Sequence, residues 1–80
     1  MTIQVLFFAQ ARERAGTANA ALEIPDGADV DAAVRAIARA WPALEPLWPH
    51  LAVAVDGSLA RTGALRDGAE VALLPPVSGG

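Results

Sequence analysis

One stretch of this chain has a strong helical signature, and it stands alone among strand-like segments. Asp29 is a good N-cap residue, and Asp31 adds negative charge to the first turn. Val30, Ala33, Val34, Ile37, Ala38 and Trp41 then recur at helical spacing and make one apolar stripe. Asp31 and Arg35 stand four apart on the opposite side, as do Arg35 and Arg39. Pro42 stops the helix, because the residue before a proline disfavours helical angles. A single helix can cover only one face of a sheet, so any sheet formed by the remaining residues must keep an open face.

The flanking segments supply that sheet. Residues 2–9 combine β-forming side chains with alternation: Ile3, Val5 and Phe7 point one way, and Gln4, Leu6 and Phe8 the other. Gln4 marks the second set as the more exposed, which puts Phe8 on an outer face. Residues 10–16 read as a turn or short helical stretch, with Gly16 the reversal point. Residues 18–24 predict a second strand, although alanines weaken its β signal. Pro25-Asp26-Gly27 is a turn, proline fixing φ and glycine accepting a positive φ. Pro46 and Pro49 break residues 43–50 into a loop with about one helical turn. Residues 51–55 predict a strand, Asp56-Gly57 a hairpin turn and residues 58–60 a short return. A turn over 65–68 leads to a last strand, 70–74, with Val71 and Leu73 inward and Glu70, Ala72 and Leu74 outward. The order β-β-α-β-β-β in 80 residues predicts one small α+β domain over 1–80: a mixed sheet of four to five strands with one main helix on one face, and residues 75–80 a projecting tail.

Composition narrows the chemistry. There is no cysteine, so the chain itself supplies neither a disulfide nor a thiolate, and any sulfur chemistry must use sulfur from elsewhere. The six basic residues are all arginine, scattered along a chain of net charge −3. No basic cluster tracks a phosphate backbone, which argues against nucleic acid. No charged leader and no apolar run of membrane length is present, so a soluble, cytoplasmic protein without a membrane partner is expected. His50, the only histidine, lies in a proline-rich loop without an evident orienting partner. Ser58, Ser78, Thr17 and Thr62 suggest no triad. Turn and capping roles explain Asp26, Asp29 and Asp31 better than a metal site does, and no glycine pattern matches a phosphate loop.

The distinctive feature is the ending: a strand, then Pro75-Pro76-Val77-Ser78-Gly79-Gly80. A carboxylate is a poor electrophile and needs activation, most simply as an acyl adenylate. Two glycines can thread a narrow channel and bring the carboxyl close to a partner's backbone. Pro75 and Pro76 would stiffen the base of the tail, and Ser78 is small enough to pass. In a β-grasp arrangement the first and last strands are central neighbours. Phe8 and Leu74 would then be close on the open face, with Leu59 on a nearby short strand, and such an apolar patch suggests a protein interface.

These residues resemble the MoaD group, the small subunits of molybdopterin synthase, which are ubiquitin-like β-grasp sulfur carriers. Val5-Leu6-Phe7-Phe8-Ala9-Gln10-Ala11-Arg12-Glu13 is similar to that family's first strand and turn. Leu65-Arg66-Asp67-Gly68-Ala69-Glu70-Val71 is similar to its approach to the last strand, and Leu73 to Gly80 to its tail. The family often has aromatics where Leu73 and Leu74 stand and an acidic residue where Ala69 stands. The resemblance implies that a ubiquitin-activating-like adenylyltransferase uses ATP and magnesium to adenylate Gly80, and that a sulfur donor then converts it to a thiocarboxylate. Sulfur would pass to cyclic pyranopterin monophosphate, building molybdopterin for the molybdenum cofactor. It further implies a partner-binding set of Phe8, Arg12, Leu59 and Leu74, with Pro75, Pro76, Val77, Ser78 and Gly79 threading into a large subunit. That subunit carries the acid-base residues, in a heterotetramer. This chain would then be a non-catalytic, sulfur-donating subunit that binds no cofactor and no metal itself.

Three other readings share parts of this pattern. A carrier for thiamine or cysteine biosynthesis would use the same tail chemistry. A ubiquitin-like modifier would form isopeptide bonds through Gly80. A β-grasp binding module would carry an inert tail.

Overall fold

The structure, a computed structural model, describes residues 1–75. Eight elements follow one another: β1 (Thr2–Phe7), α1 (Ala9–Ala15), β2 (Asn19–Glu23), α2 (Val30–Ala40), a 3-10 helix (Pro42–His50), β3 (Ala52–Val55), β4 (Ser58–Leu59) and β5 (Glu70–Leu74). The strands make one five-stranded sheet in the order β2-β1-β5-β3-β4. β1 pairs antiparallel with β2 and parallel with β5, and β5 pairs antiparallel with β3. The first and last strands are thus central neighbours, and the architecture is the expected α+β β-grasp.

Alternation decides which face is buried. Ile3, Val5 and Phe7 of β1 and Val71 and Leu73 of β5 are all at or near zero exposure. They meet Val30, Ala33 and Ile37 from α2 in one apolar cluster. Burial of each large side chain is worth roughly 1.5–3 kcal/mol, so this face holds the fold. Phe7 also stacks edge-on against Trp41, with centroids 4.9 Å apart and planes at 68°. α2 begins as its sequence requires: the Asp29 carboxylate accepts from the Ala32 amide at 2.8 Å. It ends with the Trp41 amide donating to the Ile37 carbonyl at 2.9 Å, just before Pro42.

Residues 43–50 depart from expectation. They belong to a nine-residue 3-10 helix rather than a loop. Pro46 and Pro49 lack an N–H and forbid a regular α-helix, but the tighter turn tolerates them. Its three-residue repeat places Leu44 and Leu47 on the same side, and both are buried in the core. The helix is bounded by Leu44 N–H to Trp41 carbonyl and Leu51 N–H to Trp48 carbonyl bonds, at 3.0 and 3.2 Å. The main helix therefore shares its side of the sheet with a second apolar element.

The first strand stops at Phe7, earlier than its alternation suggested. Phe8 is still extended, but Ala9 turns to φ 51° and starts α1 without a linker. α1 buries Ala11 and closes at Gly16, whose φ of 78° is the left-handed value that favours glycine. At the other end of the sheet, Asp56 ties β3 to β5. Its carboxylate accepts from the Glu70 amide at 3.0 Å and pairs with Arg66 at 3.3 Å. The Met1 amine donates to the Ile24 carbonyl and to Asp26, each at 2.8 Å. The hydrogen bond from Met1 holds the Asp26 carboxyl below its usual range, and the bond to Asp26 raises the amine above its own.

Candidate docking face and carrier tail

The sheet face away from the helices is built from the other half of each strand's alternation. Its register can be read straight across: Leu59 pairs with Ala54, Ala54 with Ala72, and Ala72 with Leu6. Directly opposed residues share a face, so these four make one apolar row. The next row toward the C-terminal end of β5 holds Ala52 opposite Leu74. Phe8 follows Phe7, which pairs with Leu73, and its backbone stays extended at φ −119° and ψ 149°. Phe8 therefore continues the alternation onto the outer face, beside Leu74. The row in the other direction is polar at Gln4 and Glu70, which pair with each other. The open face thus grades from polar to apolar toward Pro75, the point at which the chain leaves the sheet.

Among the described residues, Phe8 and Leu59 are the large apolar side chains that stand exposed, at 45% and 73%. Leu74 is half-buried between them. Phe8 and Leu59 stand apart: Phe8 continues β1, and Leu59 lies on β4, three strand spacings away, or about 14 Å. Between them the surface is floored by Ala54 and Ala72. Ala54 is only 6% exposed yet lies outside the core cluster, so neighbours on the open face cover it. Sequence reasoning missed this floor. The alternation within 51–55 assigns Ala54 a face, but the cross-strand register that seats it between Leu59 and Ala72 is not written in any one segment.

Arg12 sits on α1, exposed, where it lines a concavity of about 540 Å³ with Ala9, Glu13, Gly16, Thr17 and Ala18. Its amide lies 3.4 Å from the Phe8 carbonyl, so the α1 turn that carries Arg12 is anchored on Phe8. Pro75 is exposed at the end of β5. Pro76, Val77, Ser78, Gly79 and Gly80, the remainder of the expected tail, lie outside the described residues.

The other candidate groups are used locally. The Thr17 hydroxyl bonds the Asn19 carbonyl at 2.8 Å, and Asp29 and Asp26 hold the α2 cap and the Met1 amine. Asp31 pairs with Arg35 one turn along α2. His50 is exposed at the end of the 3-10 helix. Among the described residues no group of three or more His, Asp or Glu side chains could hold a metal ion, and no helix is long and apolar enough to cross a membrane.

A ubiquitin-like sheet with one open apolar face, running into a Pro-Pro and Gly-Gly tail, defines the class of small β-grasp carrier and modifier proteins. Residues 5–80 match the ThiS family, and the chain belongs to it. The chain is 40% identical over 83 residues to a molybdopterin synthase sulfur carrier subunit from Chlamydomonas reinhardtii, all of both chains being covered. Its fold is similar to the crystal structure of SAMP1 from Haloferax volcanii, with a TM-score of 0.87 at 35% identity and full coverage of both chains. It is also similar to a chain in the complex of subunits 1 and 2 of molybdopterin-converting factor from Helicobacter pylori, with a TM-score of 0.74, 28% identity and full coverage.

Proposed function

We propose that this protein is the sulfur carrier subunit of a molybdopterin synthase. The observation that carries the reading is a grading of the open sheet face, which becomes apolar at Phe8 and Leu74, where β5 gives way to Pro75 and the Gly79-Gly80 tail. Full-length likeness to named sulfur carrier subunits supports it.

The chemistry follows from the tail. The Gly80 carboxylate attacks the α-phosphorus of ATP on a ubiquitin-activating-like adenylyltransferase, magnesium aiding, and pyrophosphate leaves. A hydrosulfide-equivalent donor attacks the acyl carbon of the adenylate and expels AMP, leaving a thiocarboxylate. Its sulfur then attacks a side-chain carbon of cyclic pyranopterin monophosphate within the large subunit, and a C–O bond there breaks, the oxygen leaving with the phosphate or as water. Water added to the acyl carbon of the resulting thioester breaks the acyl C–S bond, returning the Gly80 carboxylate and leaving the sulfur on the pterin. The chain supplies the sulfur and the docking surface. Acid-base groups come from the large subunit, two copies of which carry one small subunit each in a cytoplasmic heterotetramer.

The Helicobacter pylori complex of subunits 1 and 2 supports a large-subunit partner. The likeness to SAMP1, a small archaeal modifier protein, favours a second reading in which Gly80 is joined to amines of other proteins. One experiment separates them. The purified chain is incubated with an adenylyltransferase partner, ATP, magnesium and a sulfide donor, and its intact mass is recorded. A gain equal to sulfur replacing oxygen, mapped to the C-terminal peptide, followed by sulfur loss to a pyranopterin acceptor with the large subunit, is the expected result. Covalent protein conjugates without that gain would overturn it in favour of the modifier.

A further inference from the structure

The sheet has two edges, and they are unequal. β4 is two residues long, Ser58–Leu59, and so offers little to pair with. β2 runs over five, Asn19–Glu23, and pairs with β1 alone. The bonds at its two ends fix which way its backbone points. The Phe7 amide donates to the Ala18 carbonyl and the Ile24 amide to the Met1 carbonyl, each at 2.9 Å. Bonded and non-bonded positions alternate along an antiparallel pair, so Ala18, Ala20, Leu22 and Ile24 turn their backbone groups toward β1. Asn19, Ala21 and Glu23 turn theirs to the free edge. The usual guards of such an edge are missing: the chain has no lysine, and β2 has no proline and no bulge in its register.

We propose that the β2 edge is a self-association surface, pairing antiparallel with β2 of a second copy of this chain about a two-fold axis at Ala21. The strand is complementary to itself in that register. Ala21 meets Ala21 of the second copy, Ala20 meets Leu22, and Asn19 meets Glu23. The edge-facing residues Asn19, Ala21 and Glu23 are then the ones that face each other, and every such pair exchanges both of its backbone bonds. No charge meets its like, because the Glu23 carboxylate stands opposite the Asn19 side-chain amide, which can donate to it. Glu23 already accepts from the Thr2 hydroxyl, and a carboxylate accepts more than one bond. The Thr17 hydroxyl bonds the Asn19 carbonyl at 2.8 Å and leaves its second lone pair open. The Asn19 amide reaches Thr17 only at 3.4 Å, a long contact to exchange for a ladder bond. Pro25, the next edge-facing position, has no N–H, so the ladder stops after Glu23. An axis at Leu22 would instead set Asn19 opposite that proline. The two-fold of an antiparallel pair stands perpendicular to the sheet. Both open faces therefore lie on one side of the doubled sheet, and the two copies of β5 run to opposite ends of it. A five-residue ladder is a small interface, so the association is transient, and it forms without covering either open face.

Sedimentation equilibrium of the full chain, from about 10 µM to about 1 mM, tests this. The average mass should climb from 8.2 kDa toward twice that value. Ala21→Pro removes an N–H that faces the edge and spares the bonds to β1, a placement at which strands tolerate proline. It should abolish the rise while the unfolding temperature moves by only a few degrees. If that variant fails to fold, Ala21→Lys decides. Its ammonium would meet its own copy across the axis, so this variant should also stay at 8.2 kDa, and added salt should restore part of the association. A parent chain that remains at 8.2 kDa at about 1 mM overturns the proposal. So does a folded Ala21→Lys that associates like the parent, because the contact would then lie elsewhere on the molecule.

Discussion

The Phe8 amide donates to the Leu73 carbonyl at 3.3 Å, so the exposed aromatic of the open face is tied by its own backbone to the strand that leads into the tail. The Phe8 carbonyl in turn accepts from Ala11 at 3.0 Å, at the start of α1. With both backbone groups engaged, Phe8 holds its side chain outward beside Leu74 as part of the rigid sheet.

Phe8→Glu should therefore act on binding and spare the fold. The side chain makes no part of the buried cluster, so the unfolding temperature should stay within a few degrees of the parent. Affinity for the large subunit should fall about thirtyfold or more, the effect of removing an interface hot spot. Surface plasmon resonance checks the one and calorimetric unfolding the other.

Leu44→Ala tests whether the 3-10 helix is part of the core. Leu44 is wholly buried in the core cluster, and truncation leaves a cavity there. A loss of about 2–5 kcal/mol in urea unfolding is expected. A loss typical of surface sites, below about 0.5 kcal/mol, would mean that the segment folds as an independent loop.

Asp29→Ala removes the side chain that accepts from the Ala32 amide. Stability should drop by about 1 kcal/mol, while Asp29→Ser or Asp29→Asn should restore most of it, because those side chains can cap as well. Urea unfolding of the three variants side by side gives the ordering.

The Met1–Asp26 pair predicts a window of pH dependence. Asp26 is lowered from 3.8, so its contribution is present above that value and fades as pH falls through its depressed pKa. The amine is raised from 8.0, so its contribution is present below that value and fades as pH rises through its elevated pKa. The difference in unfolding temperature between the parent and Asp26→Asn should be largest between these limits and shrink on both sides. A difference that stays constant from acid to alkaline pH would show that the ion pair contributes nothing.

Much of the frame could be read in advance because its signals are local. Asp29 and Pro42 bracket α2 through capping and steric exclusion. Ile3, Val5 and Phe7 declare the buried face through a two-residue period, and Asp56-Gly57 marks its turn. The misjudged pieces depend on contacts between distant segments. Pro46 and Pro49 forbid one helix type, and the fate of residues 42–50 was decided by the room that Leu44 and Leu47 found in the core. The end of β1 was set by the left-handed turn at Ala9, which no residue type announced. For the site, Phe8, Leu74 and Leu59 could be picked out as outward-facing apolar residues. The alanine row between them, Ala54 beside Ala72, depends on register across β4, β3, β5 and β1, which forms only once the strands are paired.

The parallel pairing of β1 with β5, seen at Gln4 and Glu70, joins segments separated by nearly the whole chain. Contacts of such long range close late and slowly in folding, since the entropy of the intervening loop must be lost before they form. Phe8 and Leu74 come together only when that closure is complete. A chain that is trapped, misfolded or clipped anywhere between them has no assembled surface to offer. A partner that reads Phe8 beside Leu74 would therefore recognise only chains whose two ends have already met.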